Sequence, residues 1–269
     1  MSDQNMEKYL SGELLYGDNF AIDDIKQWYD DEVEGYANLG SKDKAKYKYP
    51  YHNMNKLFGF NHLPKDQVLT HALGLGSAYG EEFLPVIDRI KTITIVEPSD
   101  KLIGENINGI QPKYSKPQID GTLSFADNEF DLIVCFSVLH HIPNVSHVLS
   151  ELVRVLKPNG VIIIREPIVS MGDWREKRKG LTKNERGIPK SFFNNFIKEK
   201  QLKVLSESLC DCSFVNKFLN KLFPFNTDTM LYQKFDSLLS NLLSWNYKYH
   251  RTNILHKCGP ASIFLLLQK

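Results

Sequence analysis

Neither sign of charge dominates this chain: 33 lysines and arginines face 32 aspartates and glutamates, a net charge of +1. That balance excludes a bulk electrostatic attraction to nucleic acid or to an anionic membrane. Long apolar runs are also missing. None approaches the ~18 residues that a membrane-crossing helix needs, and Met1 to Tyr9 has no apolar stretch of the kind a secretory leader carries. There is no internal repeat and no low-complexity tract. Cysteine is scarce, at four residues: Cys135, Cys210, Cys212 and Cys258. The Cys210–Cys212 spacing fits neither a zinc knuckle nor a redox pair. Free thiols in a reducing compartment are expected, hence a cytoplasmic protein. No His, Asp and Glu group has metal-ligand spacing, so no metal is expected.

Apolar residues make up 42% and charged residues 24% of the 269 residues, ordinary values for a globular protein. Residues 1–65 are rich in aromatic and acidic residues. Ile22, Ile25, Trp28, Tyr29, Val33 and Tyr36 recur at helical spacing, so this part reads as an N-terminal helical cap. From Gln67 the texture changes to short apolar runs separated by glycine or proline turns. Strands are expected at Val68–Leu73, Ile93–Val96, Phe130–Phe136, Val161–Ile164, Leu202–Leu209 and Ser262–Leu267, with a short one ending near Asp120. Helices are expected at Glu81–Ile90, where Pro85 disturbs the first turns, and at Val145–Leu156. Lys157-Pro158-Asn159-Gly160 reads as a turn. Continuous apolar strands alternating with helices imply a parallel sheet covered on both faces. The fold class is therefore α/β, with residues 66–269 as its main domain and a helical insertion at about 213–258.

Ligands in open α/β sheets bind beyond the carboxyl ends of the strands. Three such ends carry suitable residues. Leu73-Gly74-Leu75-Gly76-Ser77-Ala78-Tyr79-Gly80 is a glycine loop whose backbone can approach a ligand closely. Tyr79 stands where a dinucleotide fingerprint needs glycine or alanine, which argues against NAD. Glu97-Pro98 follows the next strand, and a carboxylate there can accept hydrogen bonds from both hydroxyls of a ribose. Asp120-Gly121 comes third, offering a carboxylate to an adenine amino group, although Asp-Gly is also a common turn pair.

This order of motifs, together with "FADNEFDLIVCFSVLHHIPNVSHVLSELVRVLKPNGVIIIREP", resembles the class I S-adenosylmethionine-dependent methyltransferases, closest to the methyltransferase type 11 group. The resemblance spans about Val68 to Pro167. It implies a Rossmann-like sheet of seven mostly parallel strands with a reversed final hairpin and helices on both faces. It also implies S-adenosylmethionine as cofactor, with Gly74, Leu75, Gly76 and Ser77 lining the methionine moiety. Glu97 would hold the ribose, Asp120 with Gly121 the adenine, and Phe136, Ser137 and Leu139 the floor beside the sulfonium. Two departures touch the methionine end: Ala72 stands where an acidic residue is frequent, and the third glycine is replaced by Ala78 or displaced to Gly80.

Methyl transfer is an in-line displacement in which the enzyme mainly positions its reactants and excludes water. A neutral hydroxyl acceptor also needs a base. His141 and Glu166 are the candidates, with His140 packing beneath the cofactor. Asp173, Arg175 and Arg186 lie in a polar loop beyond the Val161–Ile164 strand and are candidate acceptor ligands. The expected activity is O-methylation of a small molecule or sugar. Alternatives are N- or C-methylation, or a non-catalytic binding module. No base-flipping signature appears, and a nucleic-acid substrate is not expected.

Overall fold

A computed structural model of the chain describes residues 3–38, 47–212 and 227–269. Three helices come first: α1 (Asp3–Ser11), α2 (Ile22–Asn38) and α3 (His52–Phe58). They precede seven strands: β1 (Leu69–Leu75), β2 (Ile90–Val96), β3 (Lys113–Ser115), β4 (Phe130–Phe136), β5 (Leu156–Pro167), β6 (Lys203–Cys210) and β7 (Ser262–Gln268). Helices α4 (Val145–Val155), α5 (Lys190–Glu199) and α6 (Met230–Leu242) lie between the later strands.

All seven strands form one sheet in the order β3-β2-β1-β4-β5-β7-β6. The first five are parallel, and β7 runs antiparallel to both β5 and β6. The expected reversed hairpin is therefore present, and the sheet is mostly parallel. Its central strands are apolar on both faces because both faces are covered. Ile162 and Ile164 of β5 pack with Val145, Val148, Leu149 and Leu152 of α4 and with Phe193 of α5. Val161 and Ile163 pack on the other face with Met54 and Phe58 of α3 and with Phe83 and Val86.

Three local expectations differ from the structure. Glu81–Arg89 is a 3₁₀ helix with Pro85 inside it. Proline lacks the N–H that an α-helical turn requires and clashes with the preceding turn, so the tighter, shorter-range form prevails. The short third strand ends at Ser115, ahead of Asp120. Lys157–Gly160 forms part of β5, with a register shift opposite Phe130 and Leu132. Of the segment expected to be a helical insertion, residues 213–226 lie outside the described residues, and α6 occupies part of the remainder. No described helix is long and apolar enough to cross a membrane.

Candidate active site

A cavity of about 590 Å³ opens over the carboxyl ends of β1, β2, β4 and β5, within the usual size range of small-molecule sites. Leu75 and Gly76 leave β1, Glu97 and Pro98 leave β2, Phe136 and Ser137 leave β4, and Arg165 stands near the end of β5. Lys116 to Ile119 close one side. Tyr29 of α2 and the segment Tyr47, Tyr49, Pro50 and Tyr51 close another.

The glycine loop is tight. A Cβ on Gly76, whose φ is +61°, would come within 2.7 Å of Val138 Cγ2, and one on Gly74 would strike the Ser77 side chain. Glycine at these two positions lets the chain turn and leaves the mouth of β1 open. Ala78 also has positive φ, +43°, an uncommon conformation for a residue with a Cβ. Its N–H donates to Glu97 Oε2 at 3.2 Å, while Ser99 N–H donates to Oε1 at 3.0 Å. Burial raises the Glu97 carboxyl above its ordinary pKa, against these two hydrogen bonds. Each carboxylate oxygen keeps a lone pair for a ligand hydroxyl.

Ser137 is the first residue past β4 and sits at φ +59°. Its Oγ accepts from Arg165 Nε at 3.3 Å and Nη2 at 3.0 Å. The guanidinium also lies 3.8 Å from the ring centroid of Tyr51 and 5.5 Å from that of Phe136. Sterically disfavoured backbone of this kind persists only where surrounding contacts fix it.

The two histidines after β4 part company. His140 Nδ1 meets Glu166 Oε2 at 2.7 Å, and His140 does not line the cavity. Glu166 is fully buried, and its other oxygen accepts from the N–H groups of Val138 and Leu139 at 2.7 and 2.8 Å. It is not among the cavity-lining residues, so its expected role as a base is corrected to that of an anchor for the β4 turn. His141 does line the cavity. Its Nδ1 lies 3.5 Å from Glu32 Oε2, and its carbonyl accepts from Trp28 Nε1 at 2.8 Å. Burial, and then the neighbouring His140, lower the His141 pKa. His140, His141 and Glu185 each place a ligand-type atom within 4.8 Å of the others, a grouping that linear spacing does not reveal.

The expected acceptor ligands fall elsewhere. Arg186 is fully buried and donates to the carbonyls of Tyr16, Leu139, His140, Ile142 and Pro143. A guanidinium with its donors engaged in this way is a rivet for the loop, not a ligand for an acceptor. Asp173 and Arg175 pair with each other at 2.6 Å and do not line the cavity. Asp120 is exposed, its carboxylate turned onto the Thr122 N–H at 2.9 Å. Short turns satisfy themselves in this manner. Asp120, Gly121, Gly74, Ser77 and Leu139 do not line the cavity, while Leu75, Gly76, Glu97, Pro98, Phe136 and Ser137 do. Sequence reasoning missed Arg165. The one available signal was a charged residue interrupting an otherwise apolar strand.

Residues 73–164 match the methyltransferase domain family. No curated protein sequence matches the chain. Among solved structures, an S-adenosylmethionine-dependent methyltransferase from Leishmania major aligns with a TM-score of 0.57 and 12% identity over 93% of this chain and 87% of that one. The N-methyltransferase NodS from Bradyrhizobium japonicum, solved with S-adenosyl-l-homocysteine, aligns at 0.51 and 12% over 90% and 98%. The 4+2 cyclase SpnF aligns at 0.52 and 13% over 90% and 94%. At such identities structural likeness establishes only the fold. The matched segment runs from β1 into β5 of the Rossmann-like sheet. Over that segment, about a third of the chain, the protein is similar to methyltransferase domains.

Proposed function

We propose that this cavity holds S-adenosylmethionine and that the enzyme methylates a hydroxyl group of a small molecule. The observation that carries the reading is the buried Glu97 at the mouth of β2, facing the open glycine turn of β1 across one cavity. Glu97 holds the ribose. Leu75 and Gly76 pass beneath the methionine end, Phe136 and Ser137 form the floor, and the Lys116–Ile119 side encloses the base in place of Asp120. The bound group supplies an electrophilic methyl on a sulfonium centre. The protein contributes position, exclusion of water and a place for the acceptor's proton.

His141 is the proposed base. Its lowered pKa keeps the imidazole neutral near pH 7 and able to accept a proton. Glu32 sets the ring's orientation and stabilises the imidazolium that forms, the usual part of a carboxylate behind a histidine. Burial works to raise the Glu32 carboxyl, but the nearby His141 and Thr182 side chains and the Asn184 N–H, which donates to Oε1 at 2.9 Å, hold it below the ordinary value. It is therefore ionised where His141 needs it.

Titration calorimetry with S-adenosylhomocysteine tests the cofactor assignment. Glu97→Ala weakens binding at least tenfold, because two hydroxyl contacts to a charged acceptor are lost (~1.5–3 kcal/mol each). Asp120→Ala leaves it unchanged. An unaltered affinity in Glu97→Ala refutes the ribose role.

A further inference from the structure

The sheet sets β3, β2, β1, β4 and β5 side by side, and the cavity runs along their carboxyl ends in that order. The proposed cofactor residues take up the first four places. These are Lys116 to Ile119 after β3, Glu97 after β2, Gly76 after β1, and Phe136 with Ser137 after β4. Arg165, on β5, is the next wall and lies beyond the floor of the methyl group. In β-sheet register it faces Phe136.

Arg165 is buried, at 5% exposure, and forms no ion pair among the described residues. Two of its nitrogens share Ser137 Oγ, and Nη1 has no hydrogen-bond partner among the described residues. A guanidinium remains charged at every relevant pH, and a buried charge with no carboxylate in contact is unfavourable; Glu82 and Asp211 act on it only from beyond ion-pair distance. Tyr51 lies flat across it and is itself more than a third exposed, at 37%. Tyr49 stands beside it; its hydroxyl accepts from Asn55 Nδ2 at 2.8 Å, which leaves the hydroxyl proton for a further acceptor. The walls around this point are otherwise aromatic: Tyr47, Tyr51 and Phe136.

We propose that Arg165 is the anion-binding residue of the acceptor subsite, and that the acceptor is a small, largely apolar or aromatic molecule carrying a carboxylate. This rests on the cofactor placement above. A carboxylate matches the planar fork of a guanidinium and can take Nη1 and the Tyr49 hydroxyl together. Aromatic walls suit a planar body, and Tyr51 is placed to close over it. The anchored acid then leaves the far end of the acceptor, with its hydroxyl, toward His141. The cofactor's own amino-acid carboxylate is the other possible source of the anion, and the two are separable.

Benzoate and benzamide, which share a shape and differ in charge, are titrated into the protein saturated with S-adenosylhomocysteine. Benzoate is expected to bind at least tenfold more tightly than benzamide. Arg165→Gln, which removes the charge and can still donate to Ser137 Oγ, is expected to abolish that difference while changing S-adenosylhomocysteine affinity less than threefold. That retained affinity also shows that the variant is folded. Tyr49→Phe, which keeps the ring, is expected to weaken benzoate severalfold and leave benzamide unchanged. Equal binding of the two probes by the wild type, or no benzoate binding at tens of millimolar, overturns the proposal. A tenfold loss of S-adenosylhomocysteine affinity in Arg165→Gln also overturns it, because the guanidinium charge then serves the cofactor. Failure of the wild type to bind S-adenosylhomocysteine at all is a failure of the cofactor reading, and benzoate titrated alone still reports on Arg165.

Discussion

Single residues decide most of what this cleft can do. Arg186 ties five carbonyls from two loops and lies 5.1 Å from the centre of the Trp28 ring. Arg186→Leu leaves those acceptors buried and unpaired, and a loss of about 3 kcal/mol or more is expected in urea unfolding. A loss below about 1 kcal/mol would mean that water replaces the side chain. Glu82 gives a pH signature. It is buried, and burial pushes its carboxyl up to about 7, with nearby Arg165 opposing this and Glu97 adding to it. The folded-state pKa lies above the unfolded value, so the native state binds the proton more tightly. The associated stability is complete below pH ~4.5 and is lost as pH rises through about 7, a change of up to ~3 kcal/mol. Glu82→Gln is therefore expected to flatten the fall in melting temperature between pH 5 and pH 8. Parallel curves for the two proteins would contradict this. At His141 the expected change concerns rate. Glu32→Gln removes a carboxylate that raises the imidazole pKa, so the His141 ring should titrate at lower pH in NMR. A titration that stays in place would separate Glu32 from the histidine.

Elements carry these residues into place. The α4 stripe of Val145, Val148, Leu149 and Leu152 was plain in the sequence because helical periodicity and burial coincide. The central strands were equally plain, being short β-branched runs with turn residues between them. Helix α6 was not. Its inward side holds Gln233, Asp236, Ser237 and Ser240, while Leu231, Leu238 and Leu242 are exposed. This reverses the pattern on which a periodicity argument depends. The reason is local: Asp236 accepts from the N–H groups of Asp211 and Cys212 at 2.7 and 3.0 Å, joining α6 to the end of β6. Asp236→Ala should cost ~1–3 kcal/mol by stranding two buried donors, measured by thermal unfolding. An unchanged melting point would show that the helix docks by other means.

At the scale of the molecule, the seven-stranded, mostly parallel sheet and its reversed last hairpin could be anticipated because the glycine loop, the strand-end acid and the long segment from Phe125 to Pro167 follow one another in a single run and resemble one family. Glu97, Gly76 and Ser137 could be placed at the strand ends, where they line the cavity, for that reason. That Glu166, Arg186 and Asp120 do not line the cavity was not legible, because side-chain direction and hydrogen-bond commitment do not show in linear order. Glu166 and Arg186 point into the protein and hold loops, and Asp120 caps its own turn. Which of the N-terminal aromatics wall the cavity was not legible, for a related reason. Tyr29 and Tyr47 to Tyr51 come from the N-terminal part and reach the strand ends only through tertiary packing. The most direct measurement is a crystal structure with S-adenosylhomocysteine bound. The account predicts ribose hydroxyls on Glu97, the base beside Lys116 to Ile119, the sulfur above Phe136 and Ser137, and Arg165 clear of the ligand. A nucleoside bound outside this cavity, or a cavity that stays closed by Tyr47 to Tyr51 at saturating ligand, would contradict it.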